Sequence, residues 1–441
     1  MSAPTHDRRQ GMTRAERVAV LCAATVAFLF KSALALYTEG TLDAAAFADH
    51  LAKIREFGVG VYTVGGAFNN PFNNPPFVIH LLRATGWLTD ATGLPFAFWL
   101  RFPSIVADAA SLYLVWKLLA RSHAQRREAA HAGALRKDDA AHEDDATRKD
   151  EPPHEDDAAW LLVLLALSPV SLIISGFHGN TDPLMIFFVL LSAYLLETRR
   201  VGVAVGGVLL AGVVFGLALN IKVAPLIFAP ALWFYLPDGR RRLLFFGLAA
   251  LVFLCASLPY LLSAPTLIAR VVFGYASIYG HWGWTYLAAT WFPASLHYAR
   301  PPHGLTGAHA LAASIGKWLM LASIALAAFW FNRREDKLSL PLQLGLATAL
   351  FLFLTPGFGA QYLAWLVPWA VFLGLRAALL YYVAGGLYLS VSYSCYIYRA
   401  APPFYCVEAL NLWLPLVCWA STFVLLVGYV RRLRRAHAMN H

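Results

Sequence analysis

Charge is scarce in this chain: Asp, Glu, Lys and Arg together make up 14% of its 441 residues, against roughly one-quarter in soluble domains. Water alone is therefore not its solvent. Cysteine is sparse as well, five residues with no CxxC pair, which removes any basis for a thiol-ligated zinc site. There is no GxxxxGK[ST] loop and no HExxH, so neither nucleotide hydrolysis nor zincin-type chemistry has support, and no cofactor or metal is called for. Energy for any reaction has to arrive with the substrate. No small-residue cleavage site follows the first apolar run, which reads as a retained helix and not as a removed signal peptide.

What is abundant is apolar sequence, 59% of the chain. A helix needs roughly 20 mostly apolar residues to cross a bilayer while satisfying its own backbone. Such runs recur at about 18–37, 95–119, 158–175, 182–196, 201–219, 222–236, 243–262, 311–331, 340–355, 361–375, 377–396 and 412–429. The expected fold is an all-α polytopic membrane protein of about twelve transmembrane helices, organised as a single domain over 1–441. Arginine clusters precede the first run and follow the second, fourth, sixth, eighth, tenth and last, all on one side. By the positive-inside rule that side is the cytoplasm, with both termini there. The net charge of +10 is then largely topological and does not indicate nucleic-acid binding. Absence of Asn-x-Ser/Thr sequons and an Ala/Leu/Arg-rich style fit a bacterial inner membrane. Cys22, Cys255 and Cys418 fall in apolar runs; Cys395 and Cys406 fall near the outer face, where either a disulfide or two thiols is consistent with the spacing.

The connections differ between the two sides. The long cytoplasmic one, 120–157, contains RKDDAAHEDDA repeated as RKDEPPHEDDA, a charged and aromatic-free duplication expected to be disordered. The outer loops are longer and richer. The first, 38–94, carries LDAAAFADHLAKIREF with helical spacing, an Asn/Pro stretch, and a short apolar helix from Phe77; these are expected to be interfacial helices. The second, 263–310, is rich in aromatic residues, Pro, His and Gly. Loops of such size usually carry function.

Candidate chemistry gathers on this outer side. Asp43 and Asp49 stand just beyond the first span, where a carboxylate held near a hydroxyl could take its proton; a helix cap and a solvated face are the bland readings. GFHGNTDP sets His178, Asn180 and Asp182 in a turn between the third and fourth spans, although a turn uses Gly, Asn and Asp anyway. Lys222 lies at the tight ALNIKVAP junction, either as a functional cation at membrane depth or as a snorkelling lysine. Arg270, Arg300, Arg399 and His281 are the other basic groups considered on this face. GHWGWTY and PGFGAQYLAW offer aromatic faces for sugar rings or lipid headgroups, and interface belts explain them equally well.

The order LDAAAFADHLAKIREFGVGVYTVGGAFNNPFNNPPF, SPVSLIISGFHGNTDP, LALNIKVAPLIFAP, GFGAQYLAWLVPW resembles the GT-C superfamily of polytopic glycosyltransferases, and among them enzymes that use polyprenyl-phosphate sugars. The resemblance implies an inverting transfer of a hexose, of the mannose or glucose class, to a glycan or lipid acceptor on the non-cytoplasmic face. It makes Asp43 the general base, with Asp49 as runner-up. It places His178, Asn180, Asp182, Lys222, Arg270, His281 and Gln361 around the substrates, with Lys222, Arg270 or His281 near the donor phosphate. The loop departs from the superfamily's aromatic Tyr-x-Tyr-x-Pro pattern at FNNPFNNPP. Two other readings share the topology. A periplasmic glycan polymerase or ligase would place essential Arg or His in the second outer loop, and a twelve-helix secondary transporter would show two similar halves, which this sequence lacks.

Overall fold

A computed structural model describes residues 12–64, 72–137, 157–198, 205–274, 277–292, 305, 307–333, 339–396 and 408–438. Among these the elements are helices, and the one β feature is an isolated antiparallel bridge between Ile278 and Phe358. The helices in chain order are α1 (Arg14–Tyr37), α2 (Leu42–Phe57), α3 (Phe77–Thr92), α4 (Phe96–Lys137), α5 (Asp157–Ala166), α6 (Pro169–Ile173), α7 (Asp182–Thr198), α8 (Val205–Ile221) and α9 (Ala229–Tyr235). They continue with α10 (Gly239–Ser263), α11 (Pro265–Phe273), α12 (Gly283–Trp291), α13 (Gly307–Asn332), α14 (Leu340–Leu354), α15 (Leu363–Ala370), α16 (Leu375–Tyr396) and α17 (Glu408–Ala438).

The described part of each of the twelve predicted spans is largely helical. Seven segments are long and apolar enough to cross a membrane: Arg14–Tyr37, Phe96–Ser122, Ala158–His178, Gly239–Ser263, Gly307–Asn332, Leu375–Cys395 and Leu412–Arg434. Val205–Ile221, Ala224–Tyr235, Leu340–Leu354 and Ala360–Leu373 are shorter, at 10–17 residues. The short ones lie deepest: α14 buries nearly every side chain, whereas α1 and α13 leave most of theirs on the surface. An irregular backbone at membrane depth is tolerated only where protein surrounds it, and the short helices end at such breaks. One break lies at Lys222, between α8 and the 3-10 turn Ala224–Phe228; another lies ahead of the 3-10 turn Ala360–Tyr362.

Close packing follows from small residues. On α8, Gly212 and Gly216 stand one turn apart against α10, where an added Cβ would meet Phe245 O at 2.6 Å and Ala249 O at 2.8 Å. Small residues at this spacing let two backbones meet where lipid supplies no hydrophobic drive.

The segment after α1 has its own apolar core. Phe47, Leu51 and Ile54 of α2 pack with Ile79 and Leu82 of α3, and Ile268 of α11 joins them. This fixes α2 over the bundle and so fixes the carboxylates it carries. From 120 on, where the charged linker begins, α4 continues to Lys137, its Ala-, Arg- and Glu-rich sequence consisting of good helix formers. The duplicated acidic segment, the Asn/Pro stretch up to residue 71, Arg300 and Arg399 lie outside the described residues. Cys395 is disulfide-bonded, while Cys22, Cys255 and Cys418 are free thiols; Cys406 lies outside the described residues.

Candidate active site

Thr41, and not Asp43, caps α2. Its hydroxyl accepts from Asp43 N at 3.3 Å and donates to the carbonyl of His178 at 2.6 Å, tying the start of the helix to the turn that follows α6. Asp43 is thereby left in the first helical turn with its carboxylate unused by capping. That carboxylate faces His178 Nε2 at 3.1 Å and accepts from Asn180 Nδ2 at 2.8 Å. It remains open to solvent, with 41% of the side chain exposed, while His178 is 7% exposed. Burial pushes the Asp43 carboxyl up, but the His178 charge and hydrogen bond, the Asn180 amide and the more distant Lys222 outweigh this and hold it at about 2.

The partners are built with equal care. Residues Ile174–His178 widen into a π turn, which ends at Gly179 with φ +85°. A Cβ at Gly179 would stand 3.1 Å from Ala44 Cβ, so the left-handed glycine lets α2 come close. π turns of this kind often mark functional sites. Tyr393 of α16 meets His178 Nδ1 at 2.7 Å, with the two ring planes 7° apart. Tyr393 and Asp43 thus engage the two ring nitrogens of His178 from opposite sides. Asn180 spends its carbonyl oxygen on Thr181 N, at 2.7 Å, and its amide on Asp43, so its orientation is fixed.

A buried pair stands beside this group. Lys222 Nζ lies 2.5 Å from Asp182 Oδ2, and Trp365 Nε1 donates to Asp182 Oδ1 at 2.6 Å. Asp182 has no exposed side-chain surface and Lys222 keeps 17%. Both Asp182 oxygens are engaged by protein donors, Lys222 and Trp365. His178 and Asn180 are likewise buried and directed at Asp43. Asp49, the runner-up base, pairs with Lys53 on its own helix at 3.0 Å.

Three expected residues remain, Arg270, His281 and Gln361. Phe358 N donates to Ile278 O at 3.0 Å, and a Ser277–Tyr362 hydroxyl contact adds a second link between the segment after α11 and the turn before α15. His281 and Gln361 therefore sit on two bridged segments. Burial holds the His281 imidazole below its ordinary range, which favours its neutral form. Arg270 is exposed on α11, and its carbonyl accepts from Gly274 N at 2.9 Å.

Three groups escaped sequence reasoning. Arg101 of α4 is fully buried and donates to the carbonyls of Leu34, Thr38 and Gly176, stapling the end of α1 to the π turn. Gly40, at φ +82°, makes room for it, since a Cβ there would fall 2.1 Å from the guanidinium. Deeper down, Lys31 of α1 pairs with Asp108 of α4 at 2.7 Å, and Ser171 bonds both. A charge inside an apolar run was the available signal for all three cations and anions. Tyr393 carried no such signal.

The comparisons with known proteins bear on this arrangement. Residues 174–303 match the family described as Mannosyltransferase (PIG-M). The match opens at the π turn and takes in His178, Asn180, Asp182, Lys222, Arg270 and His281, while Asp43 and Gln361 lie outside it. That family belongs to the GT-C superfamily, as the resemblance of the sequence implied. No curated protein matches the chain. It is similar to the oligosaccharyltransferase of Archaeoglobus fulgidus in the apo form, at 12% identity and a TM-score of 0.41, over 94% of this chain and 56% of that one. For the same protein tethered with an acceptor peptide, identity is 14% and the TM-score 0.38, over 93% and 55%. The chain thus spans little more than half the length of those structures.

Proposed function

We propose that the chain transfers a hexose, in the first instance mannose, from a polyprenyl-phosphate sugar to a glycan or lipid acceptor at the non-cytoplasmic face of the membrane. The observation that carries this reading is the meeting of Asp43, from the first outer loop, with His178 and Asn180, from the segment matching a mannosyltransferase family. A carboxylate held ionised, open on one side and buttressed on the other suits a group that receives a proton from a docked hydroxyl.

In the proposed step the acceptor oxygen bonds to the anomeric carbon from the face opposite the phosphate. The bond from that carbon to the phosphate oxygen breaks, and its electron pair leaves with the lipid phosphate. The hydroxyl proton passes to Asp43. A carboxylate held at about 2 is a weak base toward a free alcohol, so the proton moves late, once bonding to carbon has made the hydroxyl acidic. Lys222, whose charge is felt at Asp43, is assigned to the departing phosphate. Asp182 uses one of its ammonium donors, and a fixed cation stabilises charge that develops in the transition state more than charge already present.

Purified protein given polyprenyl-phosphate mannose, polyprenyl-phosphate glucose or a nucleotide-linked mannose, with a membrane lipid extract as acceptor, tests the reading. Label should leave the polyprenyl-phosphate mannose and appear on a new product with inverted anomeric configuration. Transfer from the nucleotide sugar alone, or retention of configuration, contradicts it.

A further inference from the structure

The apolar part of α4 carries three polar residues on one face. Arg101, Ser104 and Asp108 stand at spacings i, i+3 and i+7, so they share one side of the helix. All three meet a single piece of chain, α6 and the π turn that leads to Asn180. Arg101 donates to Gly176 O at 3.3 Å, and Ser104 donates to Asn180 O at 3.0 Å. Asp108 accepts from the hydroxyl of Ser171, at 2.6 Å, and from that of Ser175. The Lys31 ammonium closes the arrangement, donating to Asp108 Oδ2 and to Ser171 Oγ at 2.7 Å each. Gly176 brings α1 close, since an added Cβ there would stand 3.0 Å from Lys31 Cα. The π turn is thus seated on α1 and α4 together.

An ion pair that only pinned α1 to α4 could be completed by donors from anywhere. Here the donors are two buried serines, and three and five residues beyond Ser175 come His178 and Asn180, the two partners of Asp43. A π turn is a rare backbone form, so its shape depends on what its side chains bind. Bonds to an ionised carboxylate are roughly twice as strong as neutral ones. The carboxylate therefore has a second use besides neutralising Lys31.

We propose that Asp108 is a positioning residue for sugar transfer: by holding Ser171 and Ser175 it fixes the π turn in the form that presents His178 and Asn180 to Asp43. The proposal rests on the transfer reading above. Asp108 acts through the turn and not on the substrate.

Two double variants separate this role from stability. Lys31→Met with Asp108→Leu removes both charges together and leaves the serines without their acceptor. Lys31→Met with Asp108→Asn also removes both charges but keeps an acceptor oxygen for them. Steady-state transfer from labelled polyprenyl-phosphate mannose is measured alongside hydrogen exchange at the amides of residues 174–180. The leucine variant should lose kcat by about 10²-fold, the cost of a misplacement of about 1 Å, with donor KM within a few-fold and faster exchange at the turn. The asparagine variant should keep kcat and exchange close to wild type. Ser171→Ala with Ser175→Ala, which leaves the ion pair whole, should reproduce the kcat loss, and it carries the test if the leucine variant melts early. Wild-type kcat in the serine variant overturns the proposal, as does an equal kcat loss in the leucine and asparagine variants. If the wild type moves no mannose, the transfer reading fails by itself and exchange decides the seating: faster exchange in the serine variant upholds it, and unchanged exchange overturns it.

Discussion

At the residue scale the site rests on how one carboxylate is used. Asp43 escapes capping duty because Thr41 performs it, and His178 and Asn180 then hold the carboxylate ionised. The sign of the consequence for pH is definite. The ionised form is the active one, so activity falls only as pH drops through the pKa of Asp43, which lies at about 2. No acid limb arising from this group should therefore appear in kcat/KM at pH 4 or above. His178→Ala removes the two largest lowering influences and leaves burial, the Asn180 hydrogen bond and the Lys222 charge in place, so the limb should move up. A pH–rate profile for the variant that shows no new acid limb would mean that His178 does not govern the charge of Asp43. None of this pairing was legible in the sequence. His178 and Asn180 could be nominated from the GFHGNTDP turn, but their partner stands 137 residues from Asn180, and spacing says nothing over such distances. Tyr393, which sets the imidazole, sat unmarked in an apolar run among other tyrosines.

At the scale of elements, two devices hold the bundle in register beneath the site. The first is the Lys31–Asp108 pair between α1 and α4, with Ser171 completing it. Removing one member of a buried pair leaves an uncompensated charge and is expected to cost about 3–5 kcal/mol, whereas replacing both by apolar groups is often neutral. Lys31→Met and Asp108→Leu should each lower thermal stability sharply in detergent, and the double variant should recover most of the loss. Additive losses in that cycle would show that the two side chains do not stabilise one another. The second device is the glycine face of α8. Gly216→Leu forces α8 from α10, since even a Cβ meets Ala249 O at 2.8 Å, and overpacking of this kind typically costs about 1–3 kcal/mol. The same substitution at Gly206, where a Cβ meets nothing within 4 Å, should be close to neutral in the same melting assay. Equal melting temperatures for the two variants would remove the close-packing argument.

At the scale of the whole molecule, the sequence read well where lipid leaves few choices. An apolar run that must satisfy its own backbone becomes a helix, and so the spans could be placed from hydropathy alone. Reading was poorer where helices break or persist for local reasons. The π turn at Ile174–His178 looks like ordinary helix in sequence, and α4 outlasts its apolar stretch because alanine and arginine favour helix without burial. What the sequence could not convey is convergence. The start of α2, the α6–α7 turn, the α8 terminus and α15 arrive at one place because the bundle folds them there, with Trp365 and Lys222 meeting on Asp182.

The account stands or falls on Asp43. Single-turnover transfer from labelled polyprenyl-phosphate mannose should be measured in the wild type, Asp43→Asn and Asp49→Asn, each with an unchanged melting temperature. The account predicts that Asp43→Asn binds donor but loses transfer by at least the factor of about 10²–10⁴ typical of a positioned base, while Asp49→Asn stays within a few-fold of wild type. Transfer by Asp43→Asn at close to the wild-type rate would contradict the role assigned to it.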